Sequence, residues 1–142
     1  MTPSPREWII GTHHLRFEAP DVLWATFRGA CSHEQALDIV RVYRQLGTLQ
    51  PFFILNDMEH AEGMDAESRR HMSEHLQGEW MLGVIFFKAR LLHRALAQGL
   101  ILASAMFRTE KPATPDVHFV SSREDAVELL ARLRAEPRTL SR

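Results

Sequence analysis

Cys31 and His33 are the residues whose types and spacing best suit nucleophilic catalysis. An imidazole can take the proton of a nearby thiol, and a helix start at these residues can lower the pKa of the thiol. Asp57 is the acidic partner that such a base would need. The sequence contains no Gly-x-Ser-x-Gly nucleophile elbow. A small buried cysteine beside an ordinary helix start is the favoured interpretation, so we assign no catalytic residue.

His71 and His75 place two imidazoles four residues apart on one face of a predicted helix. This spacing suits one divalent metal ion, with His60 or Glu59 as a third ligand. The order differs from the His-Glu-x-x-His pattern of zinc proteases, and two surface histidines are the favoured interpretation. We therefore predict no metal site and no cofactor, with His71 and His75 as weak metal candidates.

Further polar side chains follow the ends of predicted strands. Asn56 and Asp57 can bind a ligand hydroxyl or a metal, although such pairs more often make Asx-type turns. Lys88 and Arg90, together with His33, can frame a pocket for an acidic or phosphorylated group; solvated ends of elements are the favoured alternative. The seven glycines are scattered, so a nucleotide site of the Rossmann or P-loop kind is disfavoured.

The composition fits one globular domain. The chain has 142 residues, 45% of them hydrophobic, which is enough for a sizeable core. We predict a single domain over 1–142, with a loose N-terminal arm at 1–7 and a frayed tail at 136–142. The 17 basic and 18 acidic residues are interspersed and give a net charge of −1, which argues against nucleic acid or anionic lipid as a partner.

The cysteine count, the N-terminal residues and the apolar runs together predict where the protein is located. Cys31 is the only cysteine and has no disulfide partner in the chain, which suits a reducing cytoplasm. Residues 1–7 lack the apolar core of a signal peptide. The longest apolar run, 95–107, is shorter than the ~18 residues that a membrane-spanning helix needs. We expect a cytoplasmic protein without a transmembrane segment.

The stretch at 51–70 organises the predicted fold. Residues 52–55 are wholly apolar and lie between Pro51 and Asn56, which predicts a strand buried on both faces of a mostly parallel sheet. Polar residues then collect in a predicted loop at 56–68. Ligands usually bind at the carboxyl ends of the strands in such sheets, so this loop is the first candidate for function.

Alternating residues and turn signals predict the other strands. Residues 15–29 contain two alternating runs joined by Pro20-Asp21, which predicts an antiparallel hairpin. Residues 8–10 add a short edge segment. Two further apolar runs predict parallel strands, at 82–87 and 117–120.

Capping signals and apolar spacing predict four helices. Ser32 and Gln35 form a capping box that opens the first helix, which Gly47 is expected to end. Asp65 is the predicted N-cap of the second helix. The apolar stripe of this second helix is expected at Met64, Met72, Leu76 and Trp80.

The third and fourth helices complete the predicted order. The third spans 89–106 and is apolar on most sides. The fourth opens at a capping box of Ser121 and Glu124. Its inward side chains are expected to be Ala126, Val127, Leu130 and Leu133.

The predicted fold class is α/β. The order is β-β-α-β-α-β-α-β-α, which implies a mixed, mostly parallel sheet of about five strands with helices packed on it. One ligand-facing edge is expected where the loops after Phe27, Leu55, Phe87 and Val120 converge.

The element order and two segments, 51–57 and 119–130, resemble the STAS and SpoIIAA-like families. These are α/β domains that include bacterial anti-anti-sigma factors and small uncharacterised proteins. The resemblance covers residues 13–135. The phrase Phe-Val-Ser-Ser-Arg-Glu-Asp-Ala at 119–126 is most similar to the SpoIIAA-like subgroup.

One functional phrase of the family is altered in this sequence. In anti-anti-sigma factors a kinase phosphorylates a serine of an Asp-Ser-Ser-Gly phrase that opens the second helix. The matching phrase here is Asp65-Ala66-Glu67-Ser68, so the resemblance does not carry the phosphoswitch over. Glu67 is a permanent anion that the helix dipole stabilises. Ser68 stays a candidate phosphoacceptor, with first-turn packing as the favoured interpretation.

The resemblance implies a non-enzymatic regulatory or binding module. It would act through protein contacts at the second helix and the loop before it, with a partner that the sequence does not identify. The candidate partner- or ligand-binding residues are Asn56, Asp57, Asp65, Glu67, Ser68, Lys88, Arg90, Cys31 and His33.

The third predicted helix has more apolar side chains than one sheet face covers, among them Leu92, Leu96, Leu100 and Ile101. This surplus predicts a homodimer interface, with a lipid-like ligand as the alternative.

The alternative function is a small enzyme or a carrier of a small or apolar ligand. It would use a cleft at the carboxyl edge of the sheet around Cys31, His33, Asp57, Lys88 and Arg90. A closed polar cleft joining these residues would favour this alternative. A flat edge with exposed Met58, Met64 and Met72 would favour partner binding.

Overall fold

A single six-stranded sheet forms the centre of the structure, a computed structural model that describes residues 6–89 and 117–136. Residues 90–106 of the predicted third helix, with Arg90 and the proposed dimer face, lie outside these ranges. The elements are β1 (Arg6–Ile10), β2 (His13–Glu18), β3 (Val22–Cys31), α1 (His33–Leu49), β4 (Phe52–Met64), α2 (Ala66–His75), a 3-10 turn (Gly78–Trp80), β5 (Met81–Phe87), β6 (Val117–Val120) and α3 (Arg123–Ala135).

The strands lie side by side in chain order, from β1 to β6. The pairs β1–β2 and β2–β3 are antiparallel, and the neighbouring strands from β3 to β6 are parallel. This confirms the mixed, mostly parallel sheet. The predicted number of about five strands is one too low, because the edge segment pairs fully with β2 through contacts such as Trp8 with Leu15.

The central strand β4 is buried on both faces, as predicted. Phe52 and Ile54 belong to a core shared with α1 and α2, whereas Phe53 and Leu55 belong to a second core shared with α3. Each of the four is at most 2% exposed. Successive side chains of a strand point to opposite faces.

The strand β4 does not end at Asn56, contrary to the prediction of a loop over 56–68. It continues to Met64 and stays paired with β3 as far as Cys31. The register shifts twice along this extension, which absorbs extra residues of β4 as bulges. Gly63 lies at the second shift with φ +94°, a left-handed conformation that favours glycine. The polar residues after Leu55 were predicted to form a loop, because β3, the strand with which they pair, is distant in sequence.

The predicted cap of α1 is confirmed. The Gln35 amide donates to Ser32 Oγ at 3.2 Å, and the Ser32 amide donates to Gln35 Oε1 at 3.0 Å. The predicted stop at Gly47 is wrong, because the helix continues to Leu49. A Cβ atom at position 47 would overlap the indole ring of Trp80. The glycine therefore permits a close contact and does not end the helix.

The last helix starts one residue later than predicted. Its N-cap is Ser122, whose Oγ accepts from the Asp125 amide at 3.0 Å, and not Ser121. Val127 was predicted to face inward but is 47% exposed. Leu129 is buried in its place, beside the correctly predicted Leu130, because the buried positions follow the i, i+3, i+4, i+7 spacing from Ala126 to Leu133.

Gly47→Ala should destabilise the protein, although alanine favours a helix by about 1 kcal/mol over glycine. The added methyl group overpacks against Trp80, so we expect a net loss of about 1 to 2 kcal/mol in the free energy of unfolding in urea. Thr48→Ala, at the exposed neighbouring position, is the control. In a Trp80→Leu background the same Gly47→Ala change should be neutral or stabilising; an equal loss there would refute the packing explanation.

Candidate functional site

An apolar cavity of about 130 Å³ lies on the α1 and α2 side of the sheet. We call it the methionine cavity, because Met58, Met64, Met72 and Met81 line it, four of the six methionines of the chain. The other lining residues are His13, Phe27, Gly29, Cys31, Tyr43, Ile54, Asn56, Ala61, Gly63, Arg69, Leu76, Val84 and Phe86. The β3 and β4 extension forms one wall, and α2 covers it.

Several polar groups on this lining already have partners. Asn56 Nδ2 donates to the carbonyl oxygen of Ile85 at 3.3 Å. Arg69 Nη1 donates to the carbonyl oxygen of Met64 at 2.7 Å. The sequence expectation of a polar pair at 56–57 does not hold in space, since Asn56 lies on the cavity side of β4 and Asp57 on the other.

His13 joins three elements beside the cavity, and the sequence analysis missed it. Its Nδ1 accepts from the Arg28 amide at 3.1 Å, and its Nε2 lies 3.2 Å from Gln35 Oε1. Because Nδ1 accepts, the proton of the neutral ring is on Nε2 and is donated to Gln35. The ring is fully buried and packs against Phe27 at 5.6 Å between ring centroids. The sequence did offer a signal for this burial, because His13 lies two residues before the apolar Leu15 and therefore on the same face of β2.

Cys31 is buried in the cavity wall and is unsuited to nucleophilic attack. Burial, with a smaller contribution from the Asp65 carboxylate, raises the pKa of the thiol to about 11. The expected lowering by the helix start is therefore wrong. The Sγ atom lies 3.7 Å from the carbonyl oxygen of Ser32. At neutral pH the thiol keeps its proton, and a thiol is a poor nucleophile.

His33 turns to α2. Its ring packs edge-on against His71, with 5.8 Å between centroids, and its Nδ1 is buried without a hydrogen-bond partner among the described residues. His71 in turn stacks on His75 at 4.1 Å. Burial, and then the neighbouring His75 and His33, lower the pKa of His71. Folding therefore favours the neutral form of His71. As the pH falls below the ordinary histidine pKa, protonation of His71 lowers the stability of the folded protein.

The weak metal candidates His71 and His75 are engaged with each other. His75 Nδ1 donates to the carbonyl oxygen of His71 at 2.8 Å, and the two rings stack. Within 6–89 and 117–136, no three histidine, cysteine, aspartate or glutamate side chains are grouped to hold a metal ion.

The start of α2 has the predicted cap. Asp65 Oδ1 accepts from the Ser68 amide at 2.7 Å, and this hydrogen bond is the main cause of the lowered pKa of Asp65. Glu67 is exposed in the first turn. The Ser68 hydroxyl is buried beside the Asp65 carboxylate, so a kinase would reach it only after local opening.

Lys88 and Asp57 take part in local contacts at the end of the parallel strands. Lys88 Nζ lies 3.2 Å from Glu59 Oε1. Asp57 Oδ1 accepts from the Glu59 amide at 3.1 Å, which is an Asx-type turn. Lys88 has φ +60°, uncommon for a residue with a side chain.

One residue of the predicted five-residue cleft, Arg90, lies outside the described ranges. Of the other four candidates, Cys31 lines the methionine cavity, and His33, Asp57 and Lys88 do not. The alternative picture, a flat edge with exposed methionines, does not hold either. Met72 is buried, and Met58 and Met64 are half-buried.

No protein-family model and no curated protein matches this chain. Solved structures do match. The anti-sigma factor antagonist SpoIIAA in its unphosphorylated form aligns with a TM-score of 0.57 at 14% identity, over 88% of this chain and 100% of its own. An uncharacterised protein of the DUF3478 family with a SpoIIAA-like fold, from Shewanella loihica PV-4, aligns with a TM-score of 0.55 at 13% identity, over 92% of this chain and 98% of its own.

The chain therefore has a STAS/SpoIIAA-like fold, as the sequence resemblance predicted. At these identities the likeness concerns the fold. Among the described residues, no helix has both the length and the apolar character needed to span a bilayer. The homodimer and the cytoplasmic location stay predictions.

Asp65→Ala should lower the melting temperature at pH 7 by about 3 to 6 °C, because the first turn of α2 loses its N-cap. Asp65→Asn keeps a capping acceptor and should lose little at pH 7. The lowered pKa of Asp65 means that the ionised carboxylate stabilises the folded protein. This stabilisation is complete above the pKa that Asp65 has in the unfolded chain, and it is lost as the pH falls through its pKa in the folded protein. The gap between Asp65→Ala and the wild type should therefore narrow as the pH falls below the ordinary aspartate pKa, whereas the gap between Asp65→Ala and Asp65→Asn should stay the same, because neither replacement titrates. A constant gap between Asp65→Ala and wild type at every pH would contradict a charged cap.

Cys31 should react slowly with iodoacetamide. A thiol pKa of about 11 lowers the thiolate fraction at pH 7.5 about a hundredfold relative to the unfolded chain. We expect alkylation of the native protein to be slower than in guanidinium chloride by at least this factor, as measured by mass spectrometry of the intact chain. A native rate equal to or above the unfolded rate would mean an activated thiol and would revive the catalytic alternative.

Proposed function

We propose that this chain is a non-enzymatic regulatory or binding module that acts through protein contacts at α2 and the β4 extension before it. The observation that carries the proposal is a group of exposed carboxylates on a rigid backbone. Glu59, Glu62, Asp65 and Glu67 are all exposed within the residues 59–67, and we call them the acidic edge. The likeness in fold to an anti-sigma factor antagonist supports a regulatory role.

The backbone under the acidic edge is held at two points. The β4 extension is paired with β3 as far as Met64, and the N-cap of Asp65 fixes the first turn of α2. Surfaces that are already ordered lose little conformational entropy on binding, so their contacts contribute more to affinity. The acidic edge therefore suits a protein contact better than a loop over 56–68 would have done.

The charge of the acidic edge indicates the chemistry of the partner. Glu59 is paired with Lys88, but Glu62 and Glu67 have no ion pair within the described ranges. A partner with a basic surface would gain from meeting them, chiefly in association rate and specificity. Because Glu67 is permanently charged and Ser68 is buried, this contact would not need phosphorylation.

Affinity capture from native extract tests this role. We expect a protein that is recovered by the immobilised wild-type chain and is recovered at least tenfold less by Glu62→Lys/Glu67→Lys, as measured by quantitative mass spectrometry. Its recovery should also fall with added salt, because exposed charges are screened.

Glu128→Lys/Glu136→Lys is the matched control, since it makes the same change in net charge at two exposed positions on and at the end of α3, on the opposite face of the sheet. It should capture the same protein as the wild type. If this control reduces the recovery as much as Glu62→Lys/Glu67→Lys does, the loss reflects net charge alone and refutes the acidic edge as the contact. Undiminished capture by Glu62→Lys/Glu67→Lys would refute it as well.

A further inference from the structure

We propose that the methionine cavity is a binding site for a small, neutral, apolar molecule with a body of about six to eight carbon atoms. This goes beyond a protein contact at the acidic edge and does not depend on it. The size follows from the volume of about 130 Å³, which is close to the ~150 Å³ of an engineered apolar cavity that accommodates benzene.

The lining favours an apolar occupant over water. A buried water usually needs two to four polar partners. His13 uses its two ring nitrogens for Arg28 and Gln35, and the Asn56 amide nitrogen is bonded to the Ile85 carbonyl. Most of the remaining surface is carbon and sulfur, from side chains such as Ile54, Val84 and Leu76 in addition to the methionines.

The four methionines make the cavity adaptable. Their side chains are unbranched and polarisable, so they adjust to ligands of different shape and make favourable contacts with aromatic rings. Met72 comes from α2, Met58 and Met64 from the extension of β4, and Met81 from β5. A ligand would therefore contact three separate elements through this one side-chain type.

A neutral ligand fits the charges better than an anion does. Among the described residues that line the cavity, Arg69 is the one lysine or arginine. Its Nη1 is bonded to the Met64 carbonyl, and it interacts electrostatically with the Asp65 carboxylate. The cation is therefore already compensated, and an incoming carboxylate would lose its hydration for a weak gain.

Toluene is the probe for this site, and the methionine methyl groups are the reporters. In protein labelled with 13C at the methionine methyls, toluene should shift the signals of Met58, Met64, Met72 and Met81 and should saturate with a Kd of about 0.1 to 1 mM. Substitution of each methionine by leucine assigns the signals. The absence of saturable shifts in the wild type would overturn the proposal.

Two variants of opposite effect identify the cavity as the site. Met58→Trp places a larger side chain at a half-buried position on the lining and should weaken toluene binding at least tenfold. Met72→Ala enlarges the cavity and should bind naphthalene at least fivefold more tightly than the wild type does. Val127→Trp, at an exposed position on α3, is the control and should bind like the wild type. Equal toluene binding by Met58→Trp and wild type, or no gain for naphthalene in Met72→Ala, would refute the site.

Hexanol and hexanoate distinguish a neutral from an anionic ligand, because they share the same carbon chain. We expect hexanol to bind at least tenfold more tightly than hexanoate at pH 7.5. Tighter hexanoate binding would overturn the neutral class and would make Arg69 an anion contact. None of these outcomes affects capture through Glu62 and Glu67, so failure here is distinguishable from failure of the proposed function.

Discussion

The parallel pairing of β3 with β4 is the constraint on which the rest of the structure depends. Within the sheet, the first part of β4 is covered by α1 and α2 on one face and by α3 on the other, so its apolar residues at 52–55 are buried. The pairing then continues as far as Cys31 and Met64. Backbone groups that would need water or side chains in a loop are instead satisfied by the neighbouring strand. This extension carries the wall of the cavity and leads directly into the cap of α2.

The same pairing separates groups that are adjacent in sequence. Successive side chains of β4 point to opposite faces, so Asn56 lies on the cavity side and Asp57 on the other, where its carboxylate accepts a hydrogen bond in a local turn. Cys31 ends β3 inside the cavity wall, and His33 begins α1 facing α2. Residues that looked like one catalytic group in the sequence therefore belong to different environments. The buried thiol, with its pKa raised to about 11, is a consequence of that placement.

Sequence reasoning succeeded where the cause of a structure is local. The apolar run at 52–55, the capping box of Ser32 and Gln35, and the N-cap Asp65 depend on a few neighbouring residues, and each was predicted. It failed where the cause is distant. The strand character of the residues after Asn56 comes from pairing with β3, and Gly47 is explained by Trp80 on a later turn. The family resemblance supplied the fold, but it could not supply the methionine cavity, which depends on side chains from several elements.

The helix α2 connects the two proposed sites physically. Its exposed first turn carries Glu67, while Met72 and Leu76, on and just beyond its last turns, form part of the cavity lining. A molecule that fills the methionine cavity contacts Met72 and Leu76, so it stabilises the packed position of α2. The helix is short, and on its α1 side His71 packs against His33. A ligand could therefore alter the acidic edge only through this helix, and only to the extent that it binds one position of α2 more tightly than another.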